Sequence, residues 1–134
     1  MTSTIIYTGN LRCQATHIQS KSIIETDAPT DNKGKGEKFS PTDLLCVSLA
    51  TCITTTIAIK ATDMEIDIAN TTMQVTKHML SDPRRIGKIE INLKFPNSLK
   101  ISEKDKTILQ RVGNTCPVSK SLHPNMSIEI TYNW

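Results

Sequence analysis

From Leu44 to Ile59 no residue is charged, and Leu45, Leu49, Cys52, Thr56 and Ile59 recur at helical spacing, with Cys46, Ile53 and Ile57 on a neighbouring face. The pattern predicts one long helix over Ser40 to Ala61. Ser40 can cap it, Pro41 is preset for its first turn, and Asp43 stands where a carboxylate can bond back to the cap amide and face the positive end of the helix dipole. The run Thr54 to Thr56 forms helix poorly, so two short strands are the competing reading. A helix apolar nearly all round is expected to be buried. At about 1.5 Å per residue it would be roughly 30 Å long, the width of a small domain, with Cys52 near its middle.

Around this helix the polarity alternates with period two. Ile5 to Tyr7, Leu11 to Ile18 and Ser22 to Thr26 read as an antiparallel meander, broken at Gly9-Asn10 and at Gln19-Ser20-Lys21. Asp27 to Lys38, with Pro29, Gly34 and Gly36 among charges, reads as a surface loop. After the helix, Ile66 to Ile68 and Thr72 to Met79 look like strand, followed by a turn at Ser81-Asp82-Pro83. Arg85 to Phe95 then places Ile89, Ile91, Leu93 and Phe95 on one face, and Lys88, Glu90, Asn92 and Lys94 on the other. Ser102 with Asp105 opens a second helix with an apolar stripe of Ile108, Leu109 and Val112, ending at Gly113-Asn114. Cys116 to Leu122 suggests a short helix with Pro117 in its first turn, and Met126 to Tyr132 alternates as a last strand. Residues 1–134 are expected to form a single α+β domain.

Composition narrows the function classes. The 134 residues suffice for a real core without disulfides or metal. Sixteen basic and thirteen acidic residues give a formal charge of +3 with the signs mixed, no basic run exceeds Arg84-Arg85, and aromatics are few, which argues against nucleic acid as a partner. The first residues lack the pattern of a signal peptide, and the apolar stretch looks too short and too rich in threonine to span a membrane. A cytoplasmic protein is expected, its four cysteines reduced and important, if at all, through reactivity. With no Cys-x-x-Cys and scattered histidines, neither metal nor cofactor is expected.

Among the thiols, Cys116 falls at the expected N-cap of a helix, where the dipole and free amides favour an anion. Cys52, mid-helix among apolar residues, reads on its own as a core filler, because burial disfavours a thiolate. To act as a nucleophile it needs a cation, and Arg12 or Lys60 could supply one. Cys46 points about 240° away from Cys52 round the helix and Cys13 lies on a strand facing away from Arg12, so both read as structural.

Phe39-Ser40-Pro41-Thr42-Asp43-Leu44-Leu45, then Leu49-Ala50-Thr51-Cys52, then Cys116-Pro117-Val118-Ser119 with Leu122, together resemble the OsmC/Ohr family of thiol-dependent peroxidases. Gly9-Asn10-Leu11-Arg12 and Asp27-Ala28-Pro29 extend the likeness over the whole chain. The resemblance implies a swapped homodimer in which antiparallel sheets pack around long central helices, with each active site at the subunit interface. It implies that Cys52 attacks the peroxide, that Cys116 resolves the product as a disulfide, that Arg12 activates, and that a helix-start carboxylate pairs with that arginine. It also implies a small organic hydroperoxide as substrate and a thiol reductant (a lipoyl protein, thioredoxin or small thiol) as partner. Leu49, Ile53 and Ile57 either form apolar surroundings that suit an organic hydroperoxide better than H2O2 or are simply core.

One residue departs from the pattern. In the organic hydroperoxide branch the carboxylate directly follows the helix-start proline; here that place is Thr42, and Asp43 comes one later. Asp43 is then either the partner of Arg12 or a capping residue only. With Phe39-Ser40-Pro41 and Thr51, this brings the chain closer to the OsmC-like branch. The alternative function is a binding protein on the same scaffold, holding an apolar ligand, with incidental thiols.

Overall fold

A computed structural model describes residues 1–134. The chain forms two compact units, residues 1–45 and 46–134, whose boundary falls inside the long helix.

The first unit is built on an antiparallel meander of β1 (Ser3–Gly9), β2 (Arg12–His17) and β3 (Ile23–Asp27). The β1–β2 turn requires left-handed backbone at Gly9, Asn10 and Leu11. Its register places Ile5, Tyr7, Cys13, Ala15, Ile24 and Thr26 on one face and Ile6, Gln14, Glu25, Arg12 and Asp27 on the other. Ile5, Ile6, Tyr7, Ile23 and Ile24 are each more than half exposed, an unusual apolar display for a small sheet. The loop after β3 turns back tightly: Gly34 donates to Pro29 O, and a Cβ at Gly34 would overlap the carbonyl oxygen of Ala28. It ends where Ser40 and Asp43 open α1 (Pro41–Asp63).

α1 is one continuous helix, so the threonines do not break it into strands. The hydroxyls of Thr51, Thr54, Thr55, Thr56 and Thr62 each donate to the carbonyl four residues earlier, which satisfies them within the helix. Burial of this helix is one-sided. Cys46, Leu49, Ala50, Ile53, Ile57 and Ala61 are buried, while Val47, Ser48, Thr51, Thr55, Ile59 and Thr62 are exposed. At 23 residues, with an 18-residue window of mean hydropathy 1.8, α1 reaches the length and apolarity of a membrane span, which the sequence reading had placed beyond it.

In the second unit, β4 (Thr72–Ser81) pairs antiparallel with β5 (Arg84–Lys94), and β5 pairs parallel with β6 (Ser127–Asn133). This sheet is therefore mixed, not antiparallel throughout. The reason is the connection: α2 (Glu103–Gly113) and α3 (Pro117–Ser121) carry the chain back before β6 begins, as a parallel pair requires. Ile89, Ile91 and Leu93 of β5, and Phe95 just beyond its end, are buried on the predicted face. Thr54 of α1 meets Met73, the cross-strand partner of Leu93, so the body of α1 lies on that face. Ser102 caps α2 by accepting from Asp105 N, and Leu109 of the predicted stripe is fully buried, with Ile108 and Val112 partly so. No strand forms over Ile66–Ile68. Left-handed Glu65 and Asn70 bracket those residues, and Asp67 and Ile68 accept local hydrogen bonds instead of ladder ones.

Candidate active site

Cys52 is set by α1, one turn beyond the fully buried Leu49 and beside the fully buried Ile53, so its own side chain emerges at the edge of the core, half-buried. Cys116 comes from the other end of the unit's sequence. α2 closes with Thr115 N donating to Val112 O and Cys116 N to Gly113 O, and Pro117 then starts α3. Cys116 is the N-cap of that helix: its Sγ accepts from Ser119 N at 3.3 Å. The thiol is fully buried and lies close enough to the Cys52 thiol for the two to act on each other electrostatically. Burial pushes the Cys116 pKa up, the Ser119 amide pulls the other way, and the neighbouring Cys52 adds to the rise. The two predicted thiols therefore meet within one unit, both unpaired by any disulfide.

The cation is organised separately, within the first unit. Arg12 and Asp27 are cross-strand partners on β2 and β3. Arg12 Nε donates to Asp27 Oδ1 at 2.6 Å and Nη2 to Asp27 Oδ2 at 2.8 Å, a bidentate pair. Nη2 also donates to Glu37 Oε2 at 2.8 Å, and the Glu37 amide donates to Asp27 Oδ2. The hydrogen bond from Arg12 is the chief cause holding the Asp27 carboxyl below the usual carboxylate range, and both acids raise the Arg12 pKa. Thus Asp27 and Glu37 hold the guanidinium. Asp43 completes a capping box: its Oδ2 accepts from Ser40 N at 2.8 Å while its own amide donates to Ser40 Oγ at 3.1 Å.

Three further expectations can be placed. Lys60 lies eight residues, about 12 Å of helix rise, beyond Cys52, out of direct reach of its sulfur. Leu49, Ile53 and Ile57, read as surroundings for a substrate, are core residues without exposure. Cys46 is buried in α1 and Cys13 half-buried on β2, opposite Tyr7. Sequence reasoning missed Asp27 and Glu37 as partners of Arg12. For Asp27 the signal was available, since a meander turning at Gln19-Ser20-Lys21 brings Arg12 and Asp27 to the same end of two paired strands. A cleft of about 600 Å³ between Thr54, Ala58 and Thr62 of α1 and the segment 65–71 contains no thiol.

Comparison with known proteins agrees with this architecture. Residues 34–131 match the family model described as OsmC-like protein. A protein of Psychrobacter arcticus 273-4, named for osmotic stress induction and a detoxification response, is 50% identical, with a TM-score of 0.94 over 99% of this chain and 96% of that one. The organic hydroperoxide resistance protein OsmC of Legionella pneumophila superposes with a TM-score of 0.77 at 14% identity, covering 100% and 98% of the two chains, and the OsmC-like protein of Mycoplasma pneumoniae with 0.73 at 22% identity, covering 98% and 92%. At those identities the likeness is one of fold. No curated protein matches the chain. With the family model covering most of its length and a relative at 50% identity covering nearly all of it, the chain belongs to the OsmC-like family.

Proposed function

We propose that this protein is a thiol-dependent peroxidase that reduces organic hydroperoxides through a two-cysteine cycle. The observation that carries the reading is that the Cys52 and Cys116 thiols are near enough for Cys52 to raise the Cys116 pKa, with neither held in a disulfide. In the first step the Cys52 thiolate attacks the terminal oxygen of ROOH; the O–O bond breaks, RO⁻ leaves and takes up a proton as ROH, and Cys52 becomes a sulfenic acid. In the second, Cys116 attacks the Cys52 sulfur, the S–O bond breaks, and the hydroxide leaves as water with the proton of Cys116. An external dithiol, carried by a lipoyl protein, by thioredoxin or as a small thiol, then reduces the disulfide by exchange. The half-exposed Cys52 suits the first role and the buried Cys116 the second, because the attacking sulfur must be open to substrate while the resolving one need only meet its partner.

Arg12 is assigned the activating charge, with Asp27 and Glu37 orienting its guanidinium, and Asp43 the start of the helix that carries Cys52. The working unit is a homodimer. Its support is the uncharged open face of α1, Val47 to Thr62, together with the bare apolar residues of the β1–β3 meander, which would otherwise face water. The organic substrate class is supported by the names of relatives such as the Legionella protein. Four unpaired cysteines suit the reducing cytoplasm.

Consumption of cumene hydroperoxide in the presence of a dithiol tests this directly. Wild-type protein should turn over many equivalents, Cys116→Ser should stall or inactivate after one, and Cys52→Ser should consume none above the free-thiol background. Undiminished consumption by Cys52→Ser would overturn the reading, and a wild-type rate equal to that of free thiol would leave a ligand-binding protein in its place.

A further inference from the structure

Beyond the two thiols, one polar side chain meets the turn that leads into the resolving cysteine and has no part in the chemistry above. Tyr132 lies on the inward face of β6, cross-strand from Leu93. Its ring runs nearly parallel to Trp134, centroids 6.3 Å apart, and Trp134 stacks at 3.8 Å on the buried Phe95. The phenol is thus carried on a stacked aromatic column with little freedom to move. Its hydroxyl donates to Asn114 Oδ1 at 3.3 Å. That asparagine caps the end of α2, and its backbone N–H returns to Gln110 O and Val112 O. At the preceding residue, a Cβ on Gly113 would lie 2.9 Å from Ile57 Cδ1 and 3.1 Å from Tyr132 Oη, so only a glycine lets α1, the phenol and this turn come so close. Gly113 O in turn receives Cys116 N.

We infer that Tyr132 is a positioning residue for the resolving step: by pinning the Gly113-Asn114 turn against Ile57 of α1, it holds Cys116 within reach of Cys52 and so sets how the Cys52 sulfenic acid partitions. The inference rests on the peroxidase reading. The sulfenic acid has two fates. It condenses with the Cys116 thiol, forming the S–S bond and releasing water, or it meets a second ROOH, which adds an oxygen to give the sulfinic acid and leaves as ROH. Only the first fate depends on where Cys116 stands. Tyr132, like any phenol, is neutral and a hydrogen-bond donor at neutral pH, and burial and the nearby Cys116 push its pKa further up.

The test is the partition itself. Reduced protein is quenched after increasing cumene hydroperoxide without reductant, and the Cys52 sulfinic acid and Cys52–Cys116 disulfide are quantified by mass spectrometry. Tyr132→Phe should raise the sulfinic-to-disulfide ratio about fivefold, as the loss of one hydrogen bond would slow a step. First-turnover peroxide loss should stay within about twofold, a split that a general loss of structure would not give. Asn114→Ala, which removes the acceptor from an exposed turn, should do the same. In a Cys116→Ser background Tyr132→Phe should change sulfinic acid formation no further. Unchanged partition in both single variants, or an effect that persists without Cys116, would overturn the inference. A wild-type Cys52 that yields neither product would overturn the peroxidase reading itself.

Discussion

Cys52 and Cys116 are the same chemical group in two environments, and the difference between them has measurable consequences. Cys116 is fully enclosed and its pKa is raised, chiefly by burial. Below the ordinary cysteine value, near 8.5, the thiol is neutral in folded and unfolded chains alike, and its burial costs no charge. As the pH rises through the folded pKa, the unfolded chain has already ionised, so the native state loses stability. The reduced wild-type protein should therefore melt at progressively lower temperature on the alkaline side, and Cys116→Ser should lose less over the same range, as scanning calorimetry at stepped pH would show. The position of Cys116 was legible because a Cys-Pro step opening a helix reads directly as an N-cap. Of the partners of Arg12, Asp27 could be read from the paired strands of the meander, whereas Glu37 could not, because it sits in the loop Asp27 to Lys38, whose path no periodicity reveals.

At the level of elements, α1 decides where Cys52 stands. Its start was readable to the residue: Ser40 and Asp43 exchange both capping bonds, and Pro41 opens the first turn. Replacing Ser40 by alanine removes one reciprocal bond at a buried position and should cost about 1–2 kcal/mol, measured as the shift in urea midpoint at unchanged slope. The threonines argued for strand on propensity alone, yet the predicted helix forms, since their hydroxyls bond back to the helix instead of opposing it. The parallel pairing of β6 with β5 lay beyond the sequence for another reason. Alternation shows which residues of Met126 to Tyr132 face inward, but it is identical for parallel and antiparallel neighbours. The missing strand at Ile66–Ile68 shows the limit of short apolar triplets, which two left-handed residues suffice to turn away from a ladder.

For the whole molecule, the pattern that first marked α1 as apolar nearly all round was sound about chemistry and incomplete about geometry. One chain buries only the side carrying Leu49, Ile53 and Ile57, and Ile59 keeps 69% of its surface open. In the proposed homodimer a second copy would cover the open side, the one that carries Ile59. Ile59→Arg should then yield a monomer by sedimentation equilibrium where the wild type is a dimer, and it should lower peroxidase turnover with it. A wild-type monomer would remove the proposed homodimer, and with it an active site at the subunit interface, from the account. The central claim, that Cys52 and Cys116 form one redox pair, is tested most directly by treating the reduced protein with less than one equivalent of cumene hydroperoxide and mapping the product by mass spectrometry. The account predicts a Cys52–Cys116 disulfide as the dominant species; oxidation that leaves these two cysteines unlinked, or that links either to Cys13 or Cys46 instead, would contradict it.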